Sequence, residues 1–278
     1  MIRRNLPLGM DPQEWLLISQ IEHARMSRTL AEHWGNGEVS SVICDPDESN
    51  PARLQVRHEV LSAINHHDDG WSEWEAAPTL DVQLGRPLDF MEMPQFAAIP
   101  IWEKSIRAAL DAGPLAGWIV AGHFLALLKN SNHAIGADST TWQARIENER
   151  TTWLNDWQAR CSKLHTDGLA NQSLSWLQMF DRLSLWLCCT CPLFPSDGSS
   201  VQEPHELQVP NDRIGRVRFK TKFSQAKLLV LVEPWPFDAP ELAIVAKGNA
   251  VPAKHYGTTA ELVAAYQPRE MQWQLCPN

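Results

Sequence analysis

Long apolar runs are missing from this sequence. No uninterrupted apolar segment approaches the roughly 20 residues that a bilayer-spanning helix needs. The opening MIRRNLPLGMDPQEW has arginines but no apolar run of signal-peptide length behind them. A soluble, cytoplasmic protein without a membrane partner is expected. Positive charge is also short: 24 Lys and Arg face 33 Asp and Glu, a net charge of −9. Phosphate backbones are held by Lys/Arg patches, so a nucleic-acid partner is not expected. A small phosphorylated ligand beside a metal stays compatible, because the ion brings the positive charge. Tyrosine is scarce, two residues against thirteen Trp. Trp rings build a thick core, their more frequent use, or line a pocket. A second C-x-x-C is missing as well. The cysteines are Cys44, Cys161, Cys188, Cys189, Cys191 and Cys276. Cys188 and Cys191 have the spacing, but the motif closes an apolar helix and no second pair completes a zinc ribbon. The CCTC cluster therefore reads as reduced core thiols. Internal repeats and low-complexity tracts are absent, which sets solenoids aside.

What is present is a globular composition, 44% hydrophobic and 21% charged, over 278 residues, enough for one large domain or two ordinary ones. Asp11-Pro12-Gln13-Glu14 offers an N-cap, a Pro at N1 and an acid at N3, which predicts a helix running to about Trp34 and stopping at Gly35. Its inward face holds Leu16, Leu17, Ile21, His23, Ala24, Ser27, Leu30, Ala31 and Trp34. A polar loop over 35–50 contains Asp45, Pro46, Asp47 and Glu48. A second helix opens at Asn50-Pro51, runs into His66-His67-Asp68-Asp69 and ends at Gly70. Residues 71–94 form an irregular stretch too long for an idle connection. Helices are expected over 101–112, from Pro114 through Leu128, over 139–164, and from Gly168 through Cys189. After Pro192 the texture changes to a loop over 195–210. Strand-like runs follow over 215–219, 227–232, 242–245 and 271–275, with a short helix over 259–266. The expected architecture is mainly α: a helical domain over 1–194, followed by a small β-rich (α+β) C-terminal subdomain over 195–278 packed on it.

Polar residues interrupt the apolar stripes of these helices. His23 sits among apolar and small residues in the first, and His123 is flanked by apolar neighbours at helical spacing. Asp181 lies in the stripe Leu174, Leu177, Asp181, Leu185, Cys188. A buried imidazole or carboxylate needs a partner, and each alone reads most simply as a hydrogen-bonded core residue. Several on separate helices can satisfy one another at a metal, for which mixed imidazole and carboxylate donors suit a divalent first-row ion. The string HHDDGW, His66 to Trp71, adds a His–Asp doublet at a helix C-terminus, where the dipole favours cationic charge. The doublet is read as His67-Asp68, the register that sets unlike residues side by side. HHDD also allows His66 and Asp69.

In chain order the residues are His23, His67-Asp68, His123 and Asp181. This resembles the HD superfamily of metal-dependent phosphohydrolases, whose pattern is H…HD…D on a helical bundle. The chain is also similar, over nearly its whole length, to a bacterial HD-like family of uncharacterised proteins. The strings that carry the likeness are QIEHARMSRTLAEHWG, HHDDGWSEWEAAPTLD with GRPLDF, LQMFDRLSLWL and VEPWPF. The resemblance implies an HD-like helical bundle for the first 194 residues. It implies His23, His67, Asp68 and Asp181 as ligands of a divalent ion, with Mn, Fe, Ni, Zn and Mg all open. His123 falls where an intervening histidine of that pattern would sit.

The implied chemistry is metal-assisted hydrolysis of a small phosphoester, in which the ion activates water. Asp68 would orient that water or bridge to a second ion. His123 or His66 would carry protons, since imidazole titrates near neutrality. Arg25, Arg28 and Arg86 are either phosphate clamps or, more simply, surface charges. Trp71, Trp74, Asp81 and Asp89 are expected to wall the pocket, because the loop after Gly70 must start beside the doublet. With Glu73 and Glu75, those loop acids would take a second cation or a polar ligand, or are solvated. Two rival readings stand beside the hydrolase: a non-catalytic protein that binds a metal or small ligand, and a structural or interaction protein whose polar residues form a core network. Substrate and oligomeric state stay open.

Overall fold

A computed structural model describes residues 1–6, 13–35, 49–130, 137–193, 204–210, 215–224 and 227–278. In chain order the elements are β1 (Ile2–Asn5), β2 (Glu14–Ile18), α1 (Gln20–Glu32), α2 (Pro51–His66), α3 (Ser72–Ala76), α4 (Gln95–Leu110), α5 (Pro114–Asn130), α6 (Ala137–Arg160), α7 (Asp167–Cys189), β3 (His205–Gln208), β4 (Arg216–Ser224), β5 (Lys227–Glu233), β6 (Leu242–Pro252), α8 (Thr259–Ala264) and β7 (Gln267–Pro277). The strands form one curled, mixed seven-stranded sheet in the order β1-β2-β6-β7-β5-β4-β3. Among the described strands, β5 and β7 form the one parallel pair.

The fold is therefore α+β, which corrects the expectation of a mainly α, HD-like bundle with a small β appendage. The expected first helix, from Asp11 to Trp34, is the particular error. Residues 7–12, with its Asp11-Pro12 cap, lie outside the described residues. Glu14–Ile18 is a strand between β1 and β6. Leu16 and Ile18 enter the main core, while Leu17 enters a second cluster with Val251, Tyr256 and Leu262. A strand buried on both faces presents the unbroken apolar run that a buried helix also shows. The helix starts at Gln20, where Ser19 Oγ accepts the Glu22 N–H at 3.0 Å. Thus β1 and β2, from the first 18 residues, belong to the same sheet as the strands after residue 204. The expected boundary at 194/195 and the acids at 45–48 fall outside the described residues.

The helices bury a continuous core against this sheet. That cluster runs from Met26 and Leu30 in α1, through Phe124 in α5 and Phe180 in α7, to Ile244 and Trp273 in the sheet. Polar contacts fasten the layers. Glu22 Oε1 accepts from the Lys247 backbone N–H at 2.6 Å, and Arg25 donates to the Val245 carbonyl at 2.6 Å. Small residues on α1 bring α7 close: Ser27 Oγ lies 2.7 Å from Ser184 Oγ. Asn50 caps α2 by accepting from Ala52 and Arg53, with Pro51 at the first position. The helix stops at His66, earlier than expected, because Asp68 leaves helical dihedrals (φ −117°, ψ 17°) and a 3₁₀ turn over Asp69–Trp71 follows. The chain bends where the His–Asp doublet stands.

Candidate metal centre

Four segments bring the doublet and its partners together. His23 comes from α1, His67 and Asp68 from the end of α2, His123 from α5 and Asp181 from α7, and all five are buried. His23 Nε2 lies 2.8 Å from Asp68 Oδ2 and 3.8 Å from Asp181 Oδ1. His67 Nε2 lies 3.5 Å from Asp68 Oδ2 and 3.4 Å from Asp181 Oδ1. The His67 and His123 rings meet edge to face with centroids 5.6 Å apart. The donor atoms of His23, His67 and Asp68 all fall within 4.8 Å of one another, a grouping that could hold a metal ion. Donors bonded to one ion at about 2.0–2.2 Å stand about 2.8–3.6 Å apart, close to the separations here.

The surroundings fix the imidazoles. His67 Nδ1 donates to the Ile64 carbonyl at 2.8 Å, so Nε2 is the atom turned to the centre. At 3.4 and 3.5 Å from the two carboxylates, Nε2 closes a hydrogen bond with neither and is a buried polar atom without one. A ligand nitrogen has this character, and the residues fit a metal on that ground. His23 Nδ1 lies 2.8 Å from Ser184 Oγ, whose hydroxyl is 2.9 Å from the Asp181 carbonyl. The Asp68 carboxylate can only accept, so His23 Nε2 donates its proton to Asp68 Oδ2.

The electrostatics call for positive charge at the same point. Burial pushes the His67 imidazole down, but the Asp68 and Asp181 carboxylates outweigh it and carry the ring up to about 9. Burial pushes both carboxyls up, yet His67 and His23 hold Asp68 below its ordinary value, and the three histidines hold Asp181 far below it. Burial pushes His123 down. The pair of carboxylates is thus ionised around a proton or a cation.

A cavity of about 360 Å³ opens above the cluster, with His23, Asp68, His123 and Asp181 in its lining. Trp71 and Phe90 from the 71–94 segment also line it. The other residues expected there stand elsewhere. Trp74 packs edge to face on Trp71 and joins the second apolar cluster. Asp81 closes a turn, accepting from Gln83 and Leu84 N–H groups at 2.9 and 2.7 Å. Asp89 accepts from the Arg3 N–H at 2.8 Å and caps the 3₁₀ turn over Phe90–Glu92. Glu75 accepts from the Gln20 N–H at 2.7 Å, and Glu73 pairs with Lys104 at the surface. These acids build the loop and do not line the cavity. His66 turns outward to Asp69, at 2.6 Å, and stands apart from the grouping of His23, His67 and Asp68. Cavity-lining residues that sequence reasoning missed are Met91, Met93, Trp102 and Leu127. Apolar side chains on a pocket carry no signal that separates them from core. The CCTC cysteines are free thiols; burial pushes Cys191 up to about 12, and none joins a metal grouping among the described residues.

Comparison with known families bears on this arrangement. The family model described as "Protein of unknown function (DUF3891)" matches residues 8–253. The chain belongs to that family. The match takes in His23, His67, Asp68, His123 and Asp181. No curated protein and no solved structure matches the chain. No described helix is long and apolar enough to cross a membrane.

Proposed function

We propose that the chain is a metal-dependent hydrolase of a small phosphoester, with His23, His67, Asp68 and Asp181 holding one divalent ion. One observation carries this reading: buried donors from three helices converge beside a cavity, and one of them, His67 Nε2, has no hydrogen-bond partner. The H…HD…D order, which resembles the metal-dependent phosphohydrolases of the HD superfamily, supports it. A divalent ion bound there lowers the pKa of water and offsets charge on a phosphoryl oxygen. The protein's own part is positional. Ile64 and Ser184 hold the two imidazoles in register, and the apolar walls keep bulk water away from the reacting groups. Asp68 presents the carboxylate nearest His23 on the cavity side, where it orients a water. His123, neutral through burial and lining the same cavity, takes the proton of that water and passes it to the leaving oxygen.

The test combines metal analysis with phosphatase and phosphodiesterase substrates. Protein purified without chelator is expected to hold one ion per chain and to turn over at least one substrate class. Asp68→Asn keeps the shape but removes the charge, so turnover is expected to fall by about 100-fold or more with the fold intact. Full turnover in that variant would remove Asp68 from the chemistry. Bound metal without turnover of any phosphoester would favour the alternative of a non-catalytic ligand-binding protein.

A further inference from the structure

The walls of the cavity are unlike those of a site for highly charged phosphates. Polar groups are confined to the donor cluster and Gln20, and the sides are Trp71, Phe90, Met91, Trp102, Phe124 and Leu127 among others. No Lys or Arg lines it among the described residues. The three arginines that could have served as clamps are engaged elsewhere. Arg25 pairs with Glu22 at 2.8 Å, Arg28 with Glu32 at 2.8 Å and Arg86 with Glu92 at 2.6 Å. The ionised carboxylates of Asp68 and Asp181 equal the charge of one divalent ion, so the loaded site is close to neutral. A phosphomonoester dianion or a polyphosphate chain would find no surplus positive charge there, and buried charge without a partner is costly. Trp102 stacks on Phe124, with centroids 5.2 Å apart and planes 15° apart, and makes a flat aromatic wall. At the rim Met91 is 78% exposed and Leu127 45%, apolar side chains left open to solvent.

We propose that this cavity takes a small amphiphile. Its head carries a single negative charge and meets the donor cluster; its aromatic or branched aliphatic body lies against Trp102, Phe124, Leu127 and Met91. The proposal rests on the hydrolase reading for one point: the head is then a phosphodiester, not a phosphomonoester. In that reaction the oxygen of water bonds to phosphorus and the bond from phosphorus to one ester oxygen breaks. A water proton ends on the departing alcohol, and no oxidant or reductant is needed. The phosphomonoester product carries more negative charge than the substrate, which favours its release from a neutral, apolar-walled site.

Calorimetric titration of the metal-loaded full chain with diphenyl phosphate, phenyl phosphate and inorganic phosphate tests the inference by binding alone. Diphenyl phosphate is expected to bind at least about tenfold more tightly than phenyl phosphate. Trp102→Ala is expected to weaken diphenyl phosphate by about tenfold with bound metal unchanged. Trp102 is partly buried, so the exposed Leu127→Lys is the second variant: a cation at the rim is expected to narrow the preference by about tenfold. Phenyl phosphate or inorganic phosphate binding as tightly as diphenyl phosphate, or no binding of diphenyl phosphate, would overturn the proposal. The outcomes separate it from the hydrolase reading. Tight diphenyl phosphate binding without turnover sinks only the latter; brisk hydrolysis of phosphomonoesters sinks only the former.

Discussion

His67 is the residue on which the chemistry of the centre turns. Its Nδ1 is tied to Ile64, and its Nε2 faces two carboxylates, so in the metal-free protein it keeps a proton up to about pH 9. A cation must expel that proton before it can bond to Nε2. The sign follows. The folded-state value is raised above the ordinary 6.5, so the charged ring stabilises the metal-free protein below about 6.5, and this is lost as pH rises through about 9. Metal competes with the proton over the same window. Apparent affinity should climb by up to about tenfold per pH unit below about 9, and level off above it. Calorimetry in buffers of different ionisation heat should show about one proton released per ion at pH 7. Binding with no proton release at pH 7 would mean that His67 is neutral in the free protein. The residue scale was also the most legible in sequence. His23, His123 and Asp181 betray themselves as polar residues inside apolar stripes, which is a statement about burial, and His67-Asp68 as a doublet of unlike ligand types at a helix end. His66 and the loop acids carry no such mark. Their types suit a site, but their surroundings are a turn and the surface.

The bend between α2 and α4 is the element that aims the doublet. Gly70 sits in the 3₁₀ turn and donates its N–H to Ser105 Oγ at 2.9 Å. A Cβ at this position would overlap the backbone carbonyl of Ile101 in α4, which cannot swing aside as a side chain would. Gly70→Ala should therefore lift the turn off α4, costing about 1–3 kcal/mol, and displace Asp68 from His23. Urea unfolding should show the loss and metal titration a weakened site. Unchanged stability and affinity would show that this close approach does not hold the doublet. Elements were legible where local capping and periodicity agreed. Asn50-Pro51 marks the start of α2, and the strand-like runs from residue 215 on overlap β4 to β7, though they stop well short of the full lengths of β6 and β7. The start of α1 was misread for a definable reason. The cap of the helix is Ser19, and the apolar run ahead of it suits either a helix or a strand buried on both faces. Only its partners, β1 and β6, decide between the two, and β6 lies more than 200 residues further along the chain.

For the whole molecule, that long-range pairing has a consequence. Strand β2 is hydrogen-bonded to β6 along its length, and one apolar core joins the helices to the sheet. A chain ended after residue 193 would leave β2 without β6 and expose the sheet-facing side of α1 and α7. Such a truncation is expected to lose cooperative thermal unfolding, whereas the full chain should unfold in one transition. A stable, cooperatively melting fragment would show that the helices form a domain by themselves. The sheet was only half visible in sequence because its two N-terminal strands and the short β3 lack clear alternation and turn signals. The intact fold presses α1, α2, α5 and α7 together so that their buried polar groups meet beside one cavity, and the proposed chemistry depends on that convergence. The most direct measurement is anomalous scattering from crystals of protein purified without chelator. One peak is expected among His23 Nε2, His67 Nε2, Asp68 Oδ2 and Asp181 Oδ1. No peak there after soaking with divalent metal, or a peak at the CCTC thiols instead, would contradict the assignment of the centre.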